Sequence, residues 1–384
     1  MHWRSRLIHP TAQAPAGFRS LATPTARGST VVFERQSAII DDWRHPEAGY
    51  SYGVHGTPTV LQLAAQLAEL EGAYRTFVVP GGLAAVSLIH LALCSAGSHA
   101  LVPRNAYGPT LALGPGLLQR LGVEVEPYDP GIGAGIAGLI RDHTALIWTE
   151  SPGSHTMEIQ DVPAIVTAAH ARGVPVALDN TWSAGVLFDA FGFGVDVSMQ
   201  ALTKYVGGHS DLVLGSVSVA NVALYERIGT TLKQLGMSAS PDDAALALRG
   251  LQTLGARLAQ LEASTLKVAH WLAAHPAIAA VFHPALPSCP GHALWQRDFS
   301  GSSSLFSIAF QPEFPAAAVE AFVDGLTLFK IGFSWGGVTS LALQVRIPQR
   351  PDADLGGRLV RLNIGLEDPD DLIADLARAI SAMR

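Results

Sequence analysis

The chain has 384 residues, of which 48% are hydrophobic and 15% are charged, with a net charge of −7 and a pI near 6.0. This balance excludes the basic surface that nucleic acid or an anionic membrane requires, and we expect neither partner. Two cysteines are too few for a disulfide framework and lack the clustered spacing of a metal site, so we predict a cytoplasmic protein without a bound metal.

The predicted elements begin after a polar N-terminal segment. Residues 1–55 are rich in Pro, Ser, Thr and Arg and lack periodicity, which predicts an extended arm. Apolar spacing predicts a helix over Val60–Glu71, with Gly72 as its stop. Residues 77–97 carry no formal charge, but the Pro-Gly-Gly turn at 80–82 leaves too short an apolar run to cross a membrane. We expect instead a helix buried between a sheet and a partner subunit.

Strands and helices then alternate as far as residue 235. Strands are predicted at residues 74–79, 100–102, 123–125, 145–148, 176–178, 195–199 and 212–219. One helix is predicted to begin at residue 82, a second to end at residue 121 and a third to span 162–171. This alternation predicts an α/β large domain, residues 56–235, with a mostly parallel, doubly wound sheet. For residues 236–384 we predict a smaller C-terminal α+β domain, with a long helical stretch over 243–274 and a final helix over 369–383.

Two predicted strands end in residues that suggest chemistry. Asp179 ends one apolar strand, and Lys204 follows another at the start of a Gly-rich loop. Ligands of parallel sheets bind at the carboxyl ends of the strands, so both side chains belong at the expected site. A lysine can form a Schiff base with pyridoxal phosphate, and a carboxylate can keep the pyridine nitrogen protonated. A lysine at such a position is more often a solvated loop residue, and the neighbouring residues decide between the two interpretations.

Several neighbours fit a phosphorylated cofactor. Gly82 and Leu83 follow a predicted strand and begin a helix, and the free backbone amides at a helix start suit a phosphate. A tight packing turn explains the pair Gly81-Gly82 equally well. The Thr203 hydroxyl can also bind phosphate. The Tyr107 ring can stack on a pyridine face, or simply pack on the core.

Arg361 lies inside an apolar strand, where burying a guanidinium is unfavourable unless an anionic group pairs with it. A bidentate substrate carboxylate would pair it. A structural ion pair with an Asp or Glu is the alternative.

Together these motifs resemble the Cys/Met metabolism pyridoxal phosphate enzymes, and within them the proteobacterial cystathionine β-lyases. The matching motifs are Tyr52-Gly-Val-His-Gly-Thr57, Glu150-Ser-Pro-Gly-Ser-His-Thr-Met-Glu158, Asp179-Asn-Thr-Trp-Ser-Ala-Gly185, Thr203-Lys204-Tyr205 with Gly208-His-Ser-Asp211, Ser334-Trp-Gly-Gly337, and Arg361 with Ile364-Gly-Leu-Glu-Asp368. They occur in the family's order from about residue 20 to the C-terminus.

The resemblance implies an aspartate aminotransferase-like (fold type I) large domain and a site shared between subunits. The implied catalytic residues are Lys204, Tyr52 and Tyr107; the cofactor residues are Lys204, as a covalent Schiff base with pyridoxal 5′-phosphate, Asp179, Gly82, Leu83, Tyr107 and Thr203; the substrate residues are Arg361, Ser334, Trp335 and Tyr52. Tyr52 would reach the site from a neighbouring subunit. The implied assembly is a homotetramer, a dimer of dimers.

The chain departs from the family pattern near the implied phosphate site. Val54 stands where relatives carry an arginine that binds the phosphate from the neighbouring subunit, and His55 follows it. Ala201 stands where many relatives have a serine. Lys233 lies where relatives have a tyrosine, and we expect it to restore the missing charge.

Trp335 and Ser154 favour β-elimination, because γ-acting relatives usually have leucine and asparagine there. The resulting hypothesis is cleavage of an amino-acid thioether, L-cystathionine, to homocysteine, pyruvate and ammonia, as in methionine biosynthesis. A broader cysteine-S-conjugate β-lyase or cysteine desulfhydrase is the main alternative, and a γ-lyase of the same family is a third. A cofactor-free binding protein on the same fold is the alternative from another class.

Overall fold

The computed structural model describes residues 17, 20–40, 42–44 and 50–383. Within the predicted N-terminal arm, the described residues form two short 3₁₀ turns, Gln36–Ala38 and Gly53–His55, and a bridge between Thr30 and Tyr52. The other residues of the predicted arm lie outside the described ranges. No helix in the described part of the chain is long and apolar enough to span a membrane.

The larger sheet contains seven strands, and five α-helices lie in the same part of the chain, residues 58–235. The strands are β1 (Arg75–Val79), β2 (His99–Pro103), β3 (Glu124–Tyr128), β4 (Thr144–Glu150), β5 (Val176–Asp179), β6 (Val197–Gln200) and β7 (Gly215–Val219); the helices are α1 (Pro58–Glu71), α2 (Gly82–Leu93), α3 (Gly108–Leu113), α4 (Val162–His170) and α5 (Val222–Leu235). The strand order is β1-β7-β6-β5-β4-β2-β3, and only β7 runs antiparallel to its neighbours among these strands. This confirms the predicted mostly parallel α/β sheet.

The buried strands explain why the alternation was readable in the sequence. Side chains of β2, β4 and β5 are buried on both faces, between α2 on one side and α4 on the other. The apolar side chains of β6 also pack towards α2, and its polar ones bind Glu71 of α1. A parallel strand covered on both faces is mainly apolar, as β4 and β5 are, whereas β6 alternates apolar residues with the buried polar Ser198 and Gln200. The charge-free segment becomes β1 and α2, and α2 packs against α5 and the sheet.

A five-stranded sheet and the remaining helices complete the chain. The elements are α6 (Pro241–Leu251), α7 (Leu254–Ala273), β8 (Ile278–Phe282), α8 (His292–Asp298), β9 (Leu305–Phe310), α9 (Ala316–Gly325), β10 (Lys330–Ile331), β11 (Leu341–Val345), β12 (Leu359–Asn363) and α10 (Pro369–Ser381). The order is β10-β11-β12-β9-β8. The predicted helical stretch over 243–274 consists of two helices, because the chain turns at Gln252 and Thr253, where the Thr253 amide donates to the Gly250 carbonyl at 3.1 Å before α7 begins.

Candidate active site

A cavity of about 470 Å³ lies at the carboxyl ends of β4, β5 and β6, and residues of the smaller sheet close its other side. Every site residue predicted from the sequence lines this cavity except Tyr52: Gly82, Leu83, Tyr107, Asp179, Thr203, Lys204, Ser334, Trp335 and Arg361. The fold therefore gathers groups that are separated by nearly three hundred positions along the chain. The position of the cavity agrees with the rule that parallel sheets bind ligands at the carboxyl ends of their strands.

Lys204 lies four residues beyond β6, on a turn in which its own amide bonds the Ala201 carbonyl at 3.0 Å. The Lys204 Nζ atom lies 5.6 Å from the centre of the Trp335 ring. Burial lowers the pKa of the Lys204 ammonium, Asp179 opposes this shift, and Arg361 adds to it. A lysine amine with a lowered pKa is available as a nucleophile and as a base near neutral pH.

A buried arginine holds the loop that carries Lys204. Arg257 on α7 donates from Nη1 to the Tyr205 carbonyl at 2.6 Å and from Nη2 to the Gly250 carbonyl at 2.7 Å. Gly208 has a φ of +72°, and a Cβ there would lie 2.2 Å from Arg257 Nη1. The structure therefore favours glycine at 208, because a side chain there would displace the Arg257 guanidinium that holds the loop.

Asp179 ends β5 with its carboxylate held from one side. The Thr181 amide and hydroxyl both donate to Oδ1, at 3.1 and 2.5 Å, and the same hydroxyl accepts from the Ala201 amide at 2.9 Å. Among the described residues, no hydrogen bond reaches Oδ2. Burial raises the pKa of Asp179, while Thr181 and Lys204 lower it. An oriented carboxylate with one open oxygen fits the protonated pyridine nitrogen of pyridoxal phosphate.

The turn before α2 forms a cradle for an anion. The first amides of a helix have no partner within the helix, and here they open onto the cavity. A Cβ on Gly82 would lie 2.7 Å from the Ala201 Cβ, so glycine lets the turn approach the loop after β6. The Thr203 hydroxyl is already engaged, because it donates to the Leu214 carbonyl at 3.1 Å and accepts from the Leu214 amide at 3.0 Å. A phosphate at Thr203 requires this hydroxyl to turn away from Leu214.

Arg361 lies in the middle of β12, and its guanidinium faces the cavity. Its one hydrogen bond among the described residues runs from Nη2 to the Ser334 carbonyl at 3.2 Å. No described Asp or Glu forms an ion pair with it, so the alternative of a structural ion pair finds no support in this part of the chain. Burial lowers the pKa of Arg361. A guanidinium with open donors suits a ligand carboxylate.

Glu150 is a site residue that the sequence interpretation missed. It ends β4 beside Asp179, its register partner on β5, and it lines the cavity. Its Oε2 accepts from the Tyr107 amide and its Oε1 accepts from the Ser154 hydroxyl, both at 2.7 Å. Burial and the nearby Asp179 carboxylate raise the pKa of Glu150 to about 8. The rule that identified Asp179, a carboxylate ending an apolar strand, would also have found Glu150.

His155 is a second cavity residue that the sequence interpretation did not single out. Its backbone has a φ of +68°, which is uncommon for a residue other than glycine, and its buried Nδ1 has no partner among the described residues. Burial and then Arg361 lower the pKa of His155 to about 4. The imidazole is therefore neutral at physiological pH.

Tyr52 lies elsewhere, and the same chain does not bring it to the site. It is 52% exposed and lines a separate cavity of about 220 Å³, together with Val54, His55 and Lys233. Lys233 on α5 thus lies near the position where the family arginine is missing. Lys204 and Arg361 are the only formally cationic side chains among the described residues that line the larger cavity.

A cluster of His99, Glu124 and Glu126 lies at the opposite, amino ends of β2 and β3. Arg141 forms ion pairs with both carboxylates. This cluster is remote from the cavity and adds nothing to its chemistry.

Comparison with known proteins agrees with this geometry. The chain is 46% identical over 364 residues to a putative cystathionine β-lyase of Rhizobium johnstonii, covering 94% of this chain and 91% of the relative. It is 43% identical over 360 residues to cystathionine β-lyase MetC of Escherichia coli, covering 91% of each. It is 39% identical over 338 residues to an L-alanine/L-glutamate racemase of Wolbachia pipientis, covering 87% and 83%.

Solved structures and the family model give the same assignment. Cystathionine γ-synthase from Xanthomonas oryzae, in complex with aminoacrylate and cysteine, matches with a TM-score of 0.89 and 30% identity over 96% of this chain and 95% of that one. The model for Cys/Met metabolism PLP-dependent enzymes matches residues 4–381. The chain belongs to the Cys/Met metabolism PLP-dependent enzymes, and its cofactor is pyridoxal phosphate.

Proposed function

We propose that this enzyme is a cystathionine β-lyase, which cleaves L-cystathionine and consumes one water to give homocysteine, pyruvate and ammonia. The observation that carries the proposal is one cavity lined by Lys204, Asp179 and Arg361, whose guanidinium forms no ion pair with any described carboxylate. Relatives that are 39–46% identical over most of their length bear this name.

The cavity residues divide the work of holding the cofactor. Lys204 would bind it covalently, the Asp179 carboxylate would accept a hydrogen bond from its protonated ring nitrogen, and the turn at Gly82 and Leu83 would hold its phosphate. The Tyr107 ring, which is 46% exposed at the cavity, would cover one ring face. When bound, pyridoxal phosphate supplies an electron sink for the carbon next to the substrate amine.

The protein side chains then orient the substrate and move its proton. Arg361 and Ser334 would hold the substrate carboxylate, which fixes the Cα–H bond relative to Lys204. The substrate amine would take the place of Lys204, and the freed Lys204 amine would remove the Cα proton, since burial and Arg361 favour its neutral form. Trp335 beside Lys204 would restrict the side of the cavity that the thioether occupies.

A shared site completes the proposal. Tyr52 would enter from the neighbouring subunit of a homotetramer built as a dimer of dimers, and Lys233 would supply positive charge in place of Val54. The exposed position of Tyr52, outside its own chain's active cavity, supports this arrangement. We also propose a cytoplasmic location, in keeping with the two free cysteines, Cys94 and Cys289.

A broader cysteine-S-conjugate β-lyase or cysteine desulfhydrase is the second candidate. Apart from Arg361 and Lys204, no formally cationic described residue lines the cavity to select the distal amino-acid group of cystathionine. Recognition of the reacting half alone would accept other thioethers.

The test measures products. L-Cystathionine and L-cysteine are supplied separately to the wild type and to Lys204→Ala, and pyruvate, 2-oxobutyrate and D-amino acid are quantified. Pyruvate from L-cystathionine with the wild type alone supports the proposal. Faster turnover of L-cysteine supports the broader enzyme, 2-oxobutyrate indicates γ-elimination, and a D-amino acid without keto acid indicates racemisation. Pyruvate release by Lys204→Ala at the wild-type rate would refute the role of Lys204.

A further inference from the structure

Two loops at the cavity depend on one buried carboxyl group. Glu150 is 7% exposed, and its two oxygens bind different segments: Oε2 accepts from the Tyr107 amide and Oε1 accepts from the Ser154 hydroxyl. Tyr107 precedes α3, whereas Ser154 lies in the loop after β4. Tyr107, Ser154 and Glu150 all line the cavity. A change at Glu150 therefore acts on both loops.

Glu150 has no cationic partner to fix its charge. No described Lys, Arg or His forms an ion pair with it, and its register neighbour is the acidic Asp179. The titratable and charged groups that face it are Asp179 on β5, Tyr107 before α3 and Tyr128 at the end of β3, while Lys204, Arg361 and His155 line the same cavity. Two buried carboxyl groups side by side favour one shared negative charge over two.

The protonation of Glu150 decides the direction of the bond to Ser154. As a carboxylate, Glu150 is an acceptor only, so the Ser154 hydroxyl must donate to it. As a carboxylic acid, Glu150 can donate its own proton to Ser154 Oγ while its other oxygen still accepts from the Tyr107 amide. The Ser154 hydroxyl hydrogen is then free to point into the cavity.

We propose that Glu150 is a positioning residue that anchors Tyr107 and Ser154 and, by holding or releasing a proton, determines whether Ser154 offers a donor to the cofactor. Glutamine imitates the protonated form, because its amide oxygen accepts from Tyr107 and its amide nitrogen donates to Ser154. The raised pKa of Glu150 places the change just above neutral pH. This inference extends the proposed function but depends only on cofactor binding.

The experiment measures the dissociation constant of pyridoxal phosphate from pH 6 to 9.5 by its visible absorbance. In the wild type, affinity should weaken above pH 8 by about 2- to 10-fold, the value of one hydrogen bond, beyond any change that Lys204 itself causes. Glu150→Gln should bind like the wild type below pH 7 and lose this additional weakening. Ser154→Ala should lose the same pH-dependent component.

Glu71→Gln is the matched control. Glu71 is also a buried carboxyl group bound by neutral donors, from Ser198, Gln200 and Ser218, but it does not line the cavity. It should keep the wild-type pH profile even if it unfolds at a lower temperature. An unchanged profile in Glu150→Gln, or weak binding by this folded variant at every pH, overturns the proposal. The assay uses no substrate, so a failure of lyase activity does not affect its result.

Discussion

Replacement of Arg257 by methionine tests whether the loop carrying Lys204 is held as the structure indicates. The side chain is 7% exposed and binds three backbone carbonyls: Tyr205 at 2.6 Å, Gly250 at 2.7 Å and Val206 at 3.4 Å. Methionine keeps much of the apolar stem and removes every donor. The carbonyls next to Lys204 are then left without their charged partner.

The loss can be estimated from these bonds. A hydrogen bond to a charged group contributes about 1.5–3 kcal/mol, and the two short bonds here share one guanidinium, so we expect a total of about 3–4 kcal/mol. With an unfolding entropy of about 2.1 cal/mol/K per residue over 384 residues, the melting temperature should fall by about 4 °C. Affinity for pyridoxal phosphate should fall as well, because Lys204 loses its fixed position.

Arg172→Met is the control for this substitution. Arg172 is 48% exposed and lies 3.7 Å from the exposed Asp142, a pair that contributes less than about 1 kcal/mol. Melting is followed by circular dichroism and cofactor affinity by absorbance titration. If Arg257→Met melts within 1 °C of Arg172→Met and binds the cofactor equally well, the reasoning about the loop is wrong.

The remaining predictions concern charge at the site. Asp179→Asn should still bind the cofactor but lower kcat roughly 10²–10³-fold, and normal kcat in a pyruvate assay would contradict its role. Arg361→Lys should raise KM for L-cystathionine about 10- to 100-fold, whereas the control Arg358→Lys, just outside β12, should leave KM unchanged. Equal KM values for the two variants would mean that Arg361 has only a structural role. Because folding raises the pKa of Glu150 from its ordinary 4.5 to about 8, the free energy of unfolding of the cofactor-free protein should decrease as pH rises through this window. Chemical denaturation should give a flatter pH dependence for Glu150→Gln, and an identical slope would argue against the raised pKa.

Local patterns predicted the sheet because each strand is a short run of consecutive, mainly apolar residues. The apolar runs of β4 and β5 are buried on both faces, and their alternation with helices indicated a covered parallel sheet. The positions of Asp179 and Lys204 followed from the ends of those runs. The match to the family model confirms the resemblance that the motifs suggested.

Long-range contacts explain what the sequence did not reveal. The bond from the Tyr107 amide to Glu150 joins residues 43 positions apart, and the Thr203 hydroxyl is occupied by Leu214, 11 positions away. Neither contact leaves a periodic signal. The sequence did not locate the break between α6 and α7, because the two residues at the turn, Gln252 and Thr253, are neither glycine nor proline.

The most direct test of the central claim is to identify the residue that carries the cofactor. The purified enzyme is treated with borohydride, which makes the link to pyridoxal phosphate permanent, then digested and analysed by mass spectrometry. We expect a single modified peptide with the label on Lys204, and no label in Lys204→Ala. Label on another lysine, or a labelled Lys204→Ala variant, would contradict it.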